Sequence, residues 1–218
     1  MTTEDVAQYL RAHPDFLSEH SELLDVLIVP HPHHGHAISL TERQLHVLRG
    51  KIQQLEHKLA ELMRFGEQND VISEKVHRLA MSLLVASGYD GKRRALFASM
   101  RDDFTVPHVA LRIWGAPMEQ EGEEFQPVSE SMRAFADGMS RPYCGAPTGS
   151  NVEALDWFGE MAPHIRSVVL APLRRKNQVA GLLVLGSEEL ERFYSGMGTL
   201  YLERIGALVS VALLAETF

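Results

Sequence analysis

The chain has 218 residues, 45% of them apolar and 23% charged, which is ordinary globular usage and excludes a largely disordered polypeptide. At roughly 150 residues per domain this is one full domain plus an extension too small for a large core of its own. A formal net charge of -8, from 29 acidic and 21 basic residues, argues against nucleic-acid or anionic-membrane binding, where a basic surface supplies most of the affinity.

Cysteine arithmetic narrows the chemistry further. Cys144 is the single cysteine, so an internal disulfide and a multi-cysteine zinc site are both excluded, and a reducing cytoplasmic setting is expected. No secretory apolar block is read in the first fifteen residues. The most apolar C-terminal run, residues 206–215, is about half the ~20 residues a membrane helix needs.

In chain order, residues 1–38 read as two short helices followed by a histidine-rich loop. Thr3 is a candidate cap for the first, with Val6, Tyr9 and Leu10 at helical spacing, and His13-Pro14 ends it. The second is expected to carry Phe16, Leu17, Leu23, Leu24, Leu27 and Ile28, and to stop at Pro30 and Pro32. His31, His33, His34 and His36 form the only metal-like constellation. Imidazoles ligate zinc, nickel or copper, but the helical spacing and second ligand cluster of convincing zinc motifs are missing, so a solvated loop is the favoured reading.

Residues 39–87 read as one long helix, with Ser39 or Thr41 as cap and Glu42 completing a capping box with Ser39. Leu45, Leu48, Ile52, Leu55, Leu59 and Leu62 step by three and four, a heptad seam flanked by charges. The next seam positions are Gly66 and Asn69, so the pattern predicts an interruption there. Apolar spacing resumes at Ile72, Val76, Leu79 and Leu83, a stretch expected to pack on the following domain.

Residues 88–218 alternate helix and strand. A helix is expected over 92–104, with Leu96, Phe97 and Met100 on one face. A strand follows Pro107, placing Val109, Leu111 and Ile113 on one side and His108, Ala110, Arg112 and Trp114 on the other. The acidic run 119–124 reads as a solvated hairpin end leading to a short strand near 125–128. Ser129 caps a helix carrying Met132, Phe135, Ala136 and Met139. A loop over 138–151 holds Tyr143 and Cys144, and a short helix covers 153–158. Strands at 167–173 and 179–186 are joined by a short polar hairpin turn, and a heavily buried helix spans about 198–216. Taken together, the pattern predicts an α+β fold built on an antiparallel sheet flanked by helices, preceded by a long coiled-coil helix and a short helical segment.

Two resemblances sharpen this. The run Ser167-Val-Val-Leu-Ala-Pro172-Leu173, a polar turn, then Val179-Ala-Gly181-Leu-Leu-Val-Leu185 resembles the last hairpin of GAF domains. Over the whole chain, His13-Pro14-Asp15-Phe16, Pro30-His31, Ser39 to Gln44, Leu48-Arg49, Asn69-Asp70 and His77-Arg78-Leu79-Ala80 resemble the bacterial DUF484 family, a helical N-terminal region joined to a GAF-like domain. The GAF resemblance implies one sheet face against helices and the other toward a small-molecule pocket. On that basis Arg112, Trp114, Tyr143 and Cys144 are the candidate ligand-binding residues, a guanidinium beside aromatic rings suiting an anionic or planar ligand. The alternative is that they fill a packed core.

Specific GAF ligand signatures are not matched. The Asn-Lys-Phe-Asp-Glu set of cyclic-nucleotide binders is not visible, Cys144 precedes Gly145 rather than the His common in bilin binders, and one cysteine cannot carry an intramolecular thiol exchange. No catalytic motif is read, and no cofactor is assigned. The expected function is a non-catalytic regulatory or sensor module that forms a homodimer through its coiled coil and takes a small molecule. The alternative is a protein–protein interaction module without a ligand.

Overall fold

A computed structural model describes residues 2–21, 23, 28–30, 37–116 and 121–217, with backbone alone at 28–30 and 37–42. The chain divides into two compact units, Met1–Glu67 and Gln68–Phe218. The four loop histidines His31, His33, His34 and His36 lie outside the described residues.

In the first unit, helix α1 spans Thr3–Ala12 and is capped by Thr2 rather than Thr3. The Asp5 N–H donates to Thr2 Oγ1 and the Thr2 N–H donates to the Asp5 carboxylate, a reciprocal capping box that the Thr3 assignment misses by one residue. The second helix, α2, spans Phe16–Glu19. Ile28, expected on that helix, instead lies in strand β1 (Ile28–Pro30), antiparallel to β2 (Ala37–Ser39). Ile28-Val29 is a β-branched pair running into a proline, a sequence that favours an extended backbone over a helix end.

Helix α3 runs without a break from Leu40 to Val85, through Gly66 and Asn69. The expected interruption is therefore not there: a Cβ at Gly66 would meet nothing within 4 Å, so the weak position is an exposed one that costs the helix little beyond glycine's own propensity. In the first unit the stripe Leu45, Leu48, Ile52, Leu55, Leu59 and Leu62 is 48% to 65% exposed. The stretch in the second unit behaves oppositely, with Val76, Leu79 and Leu83 buried.

The second unit is built on a four-stranded antiparallel sheet in the order β3-β6-β5-β4: β3 His108–Ile113, β4 Tyr143–Gly145, β5 Ser167–Arg175 and β6 Gln178–Ser187. The β5–β6 hairpin closes through Lys176 and Asn177, both left-handed (φ 47° and 68°), the two-residue geometry whose twist matches paired strands. Strand β4 lies where a loop was expected; it is three residues long, too short to show alternation, and exists because Val168 to Leu170 supply its pairing partners.

The alternation read from β3 holds. Leu111 and Ile113 join Val169, Ala171, Leu173, Leu183 and Leu185 against the end of α3, helix α4 (Gly88–Asp102) and helix α6 (Leu200–Thr217). Ala110 joins Val168, Leu170, Leu182 and Val184 on the other face, under helix α5 (Glu130–Gly138) and a 3-10 segment, Gly149–His164. Ser129 caps α5 as expected, its hydroxyl accepting from the Met132 N–H at 3.1 Å. The short strand expected near 125–128 is instead a 3-10 turn, Glu123–Phe125. Glu124 turns inward there, and Pro127 has no N–H to give a ladder. This is the α+β architecture that the pattern predicts, with both sheet faces covered.

Candidate functional site

Strand β3 is an edge of the sheet, and the 3-10 turn Glu123–Phe125 packs beside it. Arg112 sits at this edge, only 7% exposed. One guanidinium nitrogen donates to the Leu111 carbonyl at 3.0 Å, and the group lies over the Trp157 ring, 5.1 Å from its centroid. Burial pulls the Arg112 pKa down, and the charges of Glu123 and Glu124 push it back up. A guanidinium is basic enough to stay a cation here.

Helix α4 brings Tyr89, Arg93 and Phe97 toward the same place, four residues apart and thus on one stripe. Arg93 Nε lies 3.2 Å from Glu124 Oε1, and Glu124 is 5% exposed. Tyr89 stacks at a tilt on Phe125, 5.4 Å between centroids. Its hydroxyl is buried against the Glu124 carboxylate. Burial, then the Glu124 carboxylate, hold its proton well above the ordinary phenol range. A cavity of about 40 Å³ lies among Arg93, Phe97, Arg112, Glu123, Glu124 and Trp157, room for a water molecule and no more.

The four candidate residues from the sequence do not converge. Arg112 and Trp114 share a face of β3, but Trp114 Nε1 donates to the Val179 carbonyl at 3.0 Å and Arg133 lies over its ring, which fixes it in the packed face. Tyr143 is on β4, at the opposite edge of the sheet and three strand spacings, roughly 14 Å, from β3. Its hydroxyl donates to the Ala146 carbonyl at 2.7 Å, and its ring meets Phe135 edge-on. Cys144 points to the other face, into the core under the helices, where burial pushes its thiol pKa up to about 11. Only Arg112 of the four borders the cavity.

Tyr89, Arg93, Glu124 and Trp157 were not singled out by sequence. A signal existed for two of them: Tyr89, Arg93 and Phe97 continue the face of α4 one turn beyond the expected start. Glu124 gave none, being one carboxylate in an acidic run. Among the described residues no group of histidines, cysteines and carboxylates is placed to hold a metal ion, and no helix is long and apolar enough to cross a membrane.

Family comparison bears on the whole chain. The family described as "Protein of unknown function, DUF484" matches residues 1–218. The chain belongs to the DUF484 family. Among its relatives, "Uncharacterized protein YigA" of Salmonella typhimurium (strain LT2) is 25% identical over 215 residues, covering 94% of this chain and 87% of that protein. YigA of Escherichia coli (strain K12) is 26% identical over 211 residues with the same coverage.

Solved structures similar to this DUF484 chain include the "A. Aeolicus nlh2 gaf domain in an inactive state", at 14% identity and TM-score 0.44 over 67% of this chain and 98% of that one. A GAF domain of a putative sensor histidine kinase from Pseudomonas syringae pv. tomato aligns at 15% identity and TM-score 0.46, covering 70% and 92%. Free methionine-R-sulfoxide reductase from Neisseria meningitidis, solved with its substrate, aligns at 15% and TM-score 0.49, covering 66% and 89%.

Proposed function

We propose that this DUF484 chain is a non-catalytic regulatory module that pairs with a second copy of itself through α3. The supporting observation is the stripe Leu45, Leu48, Ile52, Leu55, Leu59 and Leu62, roughly half to two-thirds exposed on a surface where apolar side chains gain most by burial. Its spacing is that of a coiled-coil seam, with Leu45, Ile52 and Leu59 at one core position and Leu48, Leu55 and Leu62 at the other. Flanking charges complement a like copy: in a parallel pair Lys51 faces the partner's Glu56, twice by symmetry. The two like copies then need no other protein to cover the seam.

Leu55→Lys buries a charge at the centre of that seam. The expected result is a dimer-to-monomer shift in light scattering, with unchanged far-ultraviolet circular dichroism of the sheet unit. A wild-type chain that stays monomeric at tens of micromolar would sink the pairing.

A second reading, small-molecule binding in the sheet unit, is favoured by one observation: Arg112, a buried cation with a single hydrogen bond among the described residues, borders a cavity. An interaction module without a ligand would keep its partner when Arg112 is changed and lose it when the seam leucines are.

A further inference from the structure

The Arg112 cavity brings together two guanidinium groups and two carboxylates, Glu123 and the inward-turned Glu124. Glu124 is set on Arg93 at 3.2 Å, yet Arg93 Nε itself is buried without a properly directed hydrogen bond. Arg112, with five N–H donors, has a single hydrogen bond among the described residues, to the carbonyl of its own neighbour. The Tyr89 hydroxyl is buried beside the same carboxylate. A structural ion pair of this depth normally satisfies its polar groups; here Arg93 and the Tyr89 hydroxyl share one carboxylate, and Arg112 lines the same cavity with no ion pair to it among the described residues.

The carboxylate is also held by a device that looks releasable. Glu124 sits on a three-residue 3-10 turn closed by two long bonds, Phe125 N–H to the Gly122 carbonyl and Gln126 N–H to the Glu123 carbonyl, each 3.2 Å. Gly122 has φ +152°, and a Cβ there would stand 3.0 Å from Glu124 Cδ and Oε2. The inward turn of Glu124 thus depends on a residue without a side chain.

We propose that Arg112 and Arg93 form a binding site for a small carboxylate anion, and that Glu124 occupies this site as an intramolecular plug that such a ligand displaces. The proposal rests on the small-molecule reading of Arg112 given above. A carboxylate fits because one already lies beside Arg93 at 3.2 Å, and the planar fork of Arg112, which can pair with two oxygens at once, lines the same cavity. Trp157, stacked on Arg112, gives the site an apolar floor and a fluorescent reporter. The plug lowers apparent affinity by the fraction of molecules in which it is closed.

Sodium propionate, the glutamate side chain without its backbone, is the probe, with propionamide at matched ionic strength as the neutral control. Full-length wild type, Glu124→Gln and the double variant Glu124→Gln/Arg112→Met are titrated by calorimetry and Trp fluorescence, each first checked as folded by circular dichroism. Propionate is expected to bind Glu124→Gln about tenfold or more tighter than wild type. Propionamide is expected not to bind, and Arg112→Met to abolish binding. Equal affinity in wild type and Glu124→Gln would overturn the plug while leaving the ligand reading standing. Saturable binding that survives Arg112→Met would place the site elsewhere and overturn the proposal. No saturable binding in any folded variant would overturn plug and ligand reading together. Should Glu124→Gln fail to fold, Gly122→Ala, which crowds Glu124 outward without removing its charge, is expected to show the same gain over wild type, and no gain would count against the plug.

Discussion

Gly181 on β6 faces Ile113 of β3, and a Cβ there would stand 2.6 Å from the Arg112 carbonyl oxygen. Backbone cannot yield as a flexible side chain can, so Gly181→Ala forces β6 and the edge strand β3 apart. The expected cost is about 1–3 kcal/mol, a fall in Tm of several degrees by calorimetry. Because the shift falls on the strand that carries Arg112, propionate binding should weaken with it. Cys144 makes the opposite case, a reactive residue type made inert by its place. Its thiol, pushed up to about 11 by burial, is neutral at every pH below that value, and the thiolate is the nucleophile. Native protein at pH 7.5 should resist iodoacetamide over hours, while protein in guanidinium should alkylate fully, as read by mass spectrometry. Rapid native labelling would show a thiol far more open than the core position indicates.

Within α3, one helix carries two apolar patterns with different destinations. Leu79 is fully buried among Val76, Leu83, Leu96 and Met100, so Leu79→Ala leaves a cavity and should cost about 2–5 kcal/mol by chemical denaturation. The same change at Leu55, 65% exposed, should leave monomer stability within about 0.5 kcal/mol. Periodicity made both stripes legible, because a step of three and four marks a helix face whatever covers it. It also made legible the β5–β6 hairpin and the two-sided alternation of β3, since those strands are long enough to show a period of two. Elements set by tertiary partners were not legible. Strand β4 is three residues whose pairing comes from Val168 to Leu170, and the 3-10 turn at 123–125 exists because Glu124 finds Arg93, thirty-one positions earlier. The candidate site suffered from the same limit. Arg112 was readable as a polar residue on a strand face, whereas its distance from Tyr143 depends on strand order, which no local pattern encodes.

In the proposed pair, orientation would be decided by the charges beside the seam rather than by the leucines, which pack in either direction. In a parallel pair Lys51 meets the partner's Glu56 on both sides. In an antiparallel pair aligned on the same core, Arg49 meets Glu56, but Lys51 meets Lys58, so two repulsions offset two attractions. Each exposed pair is worth only a few tenths of a kcal/mol, enough to choose between arrangements whose cores are equal. Both copies also carry -8, a repulsion that added salt screens, so moderate salt should tighten the dimer through net charge while softening the preference for parallel alignment. Leu45→Cys tests the orientation directly. A parallel pair sets position 45 against its own counterpart, within the span of a disulfide, and an oxidised covalent dimer is expected on non-reducing gels. In the antiparallel pair position 45 meets position 62, so only a mixture of Leu45→Cys and Leu62→Cys chains would cross-link. Native Cys144, buried in the sheet unit, leaves either pattern unobscured.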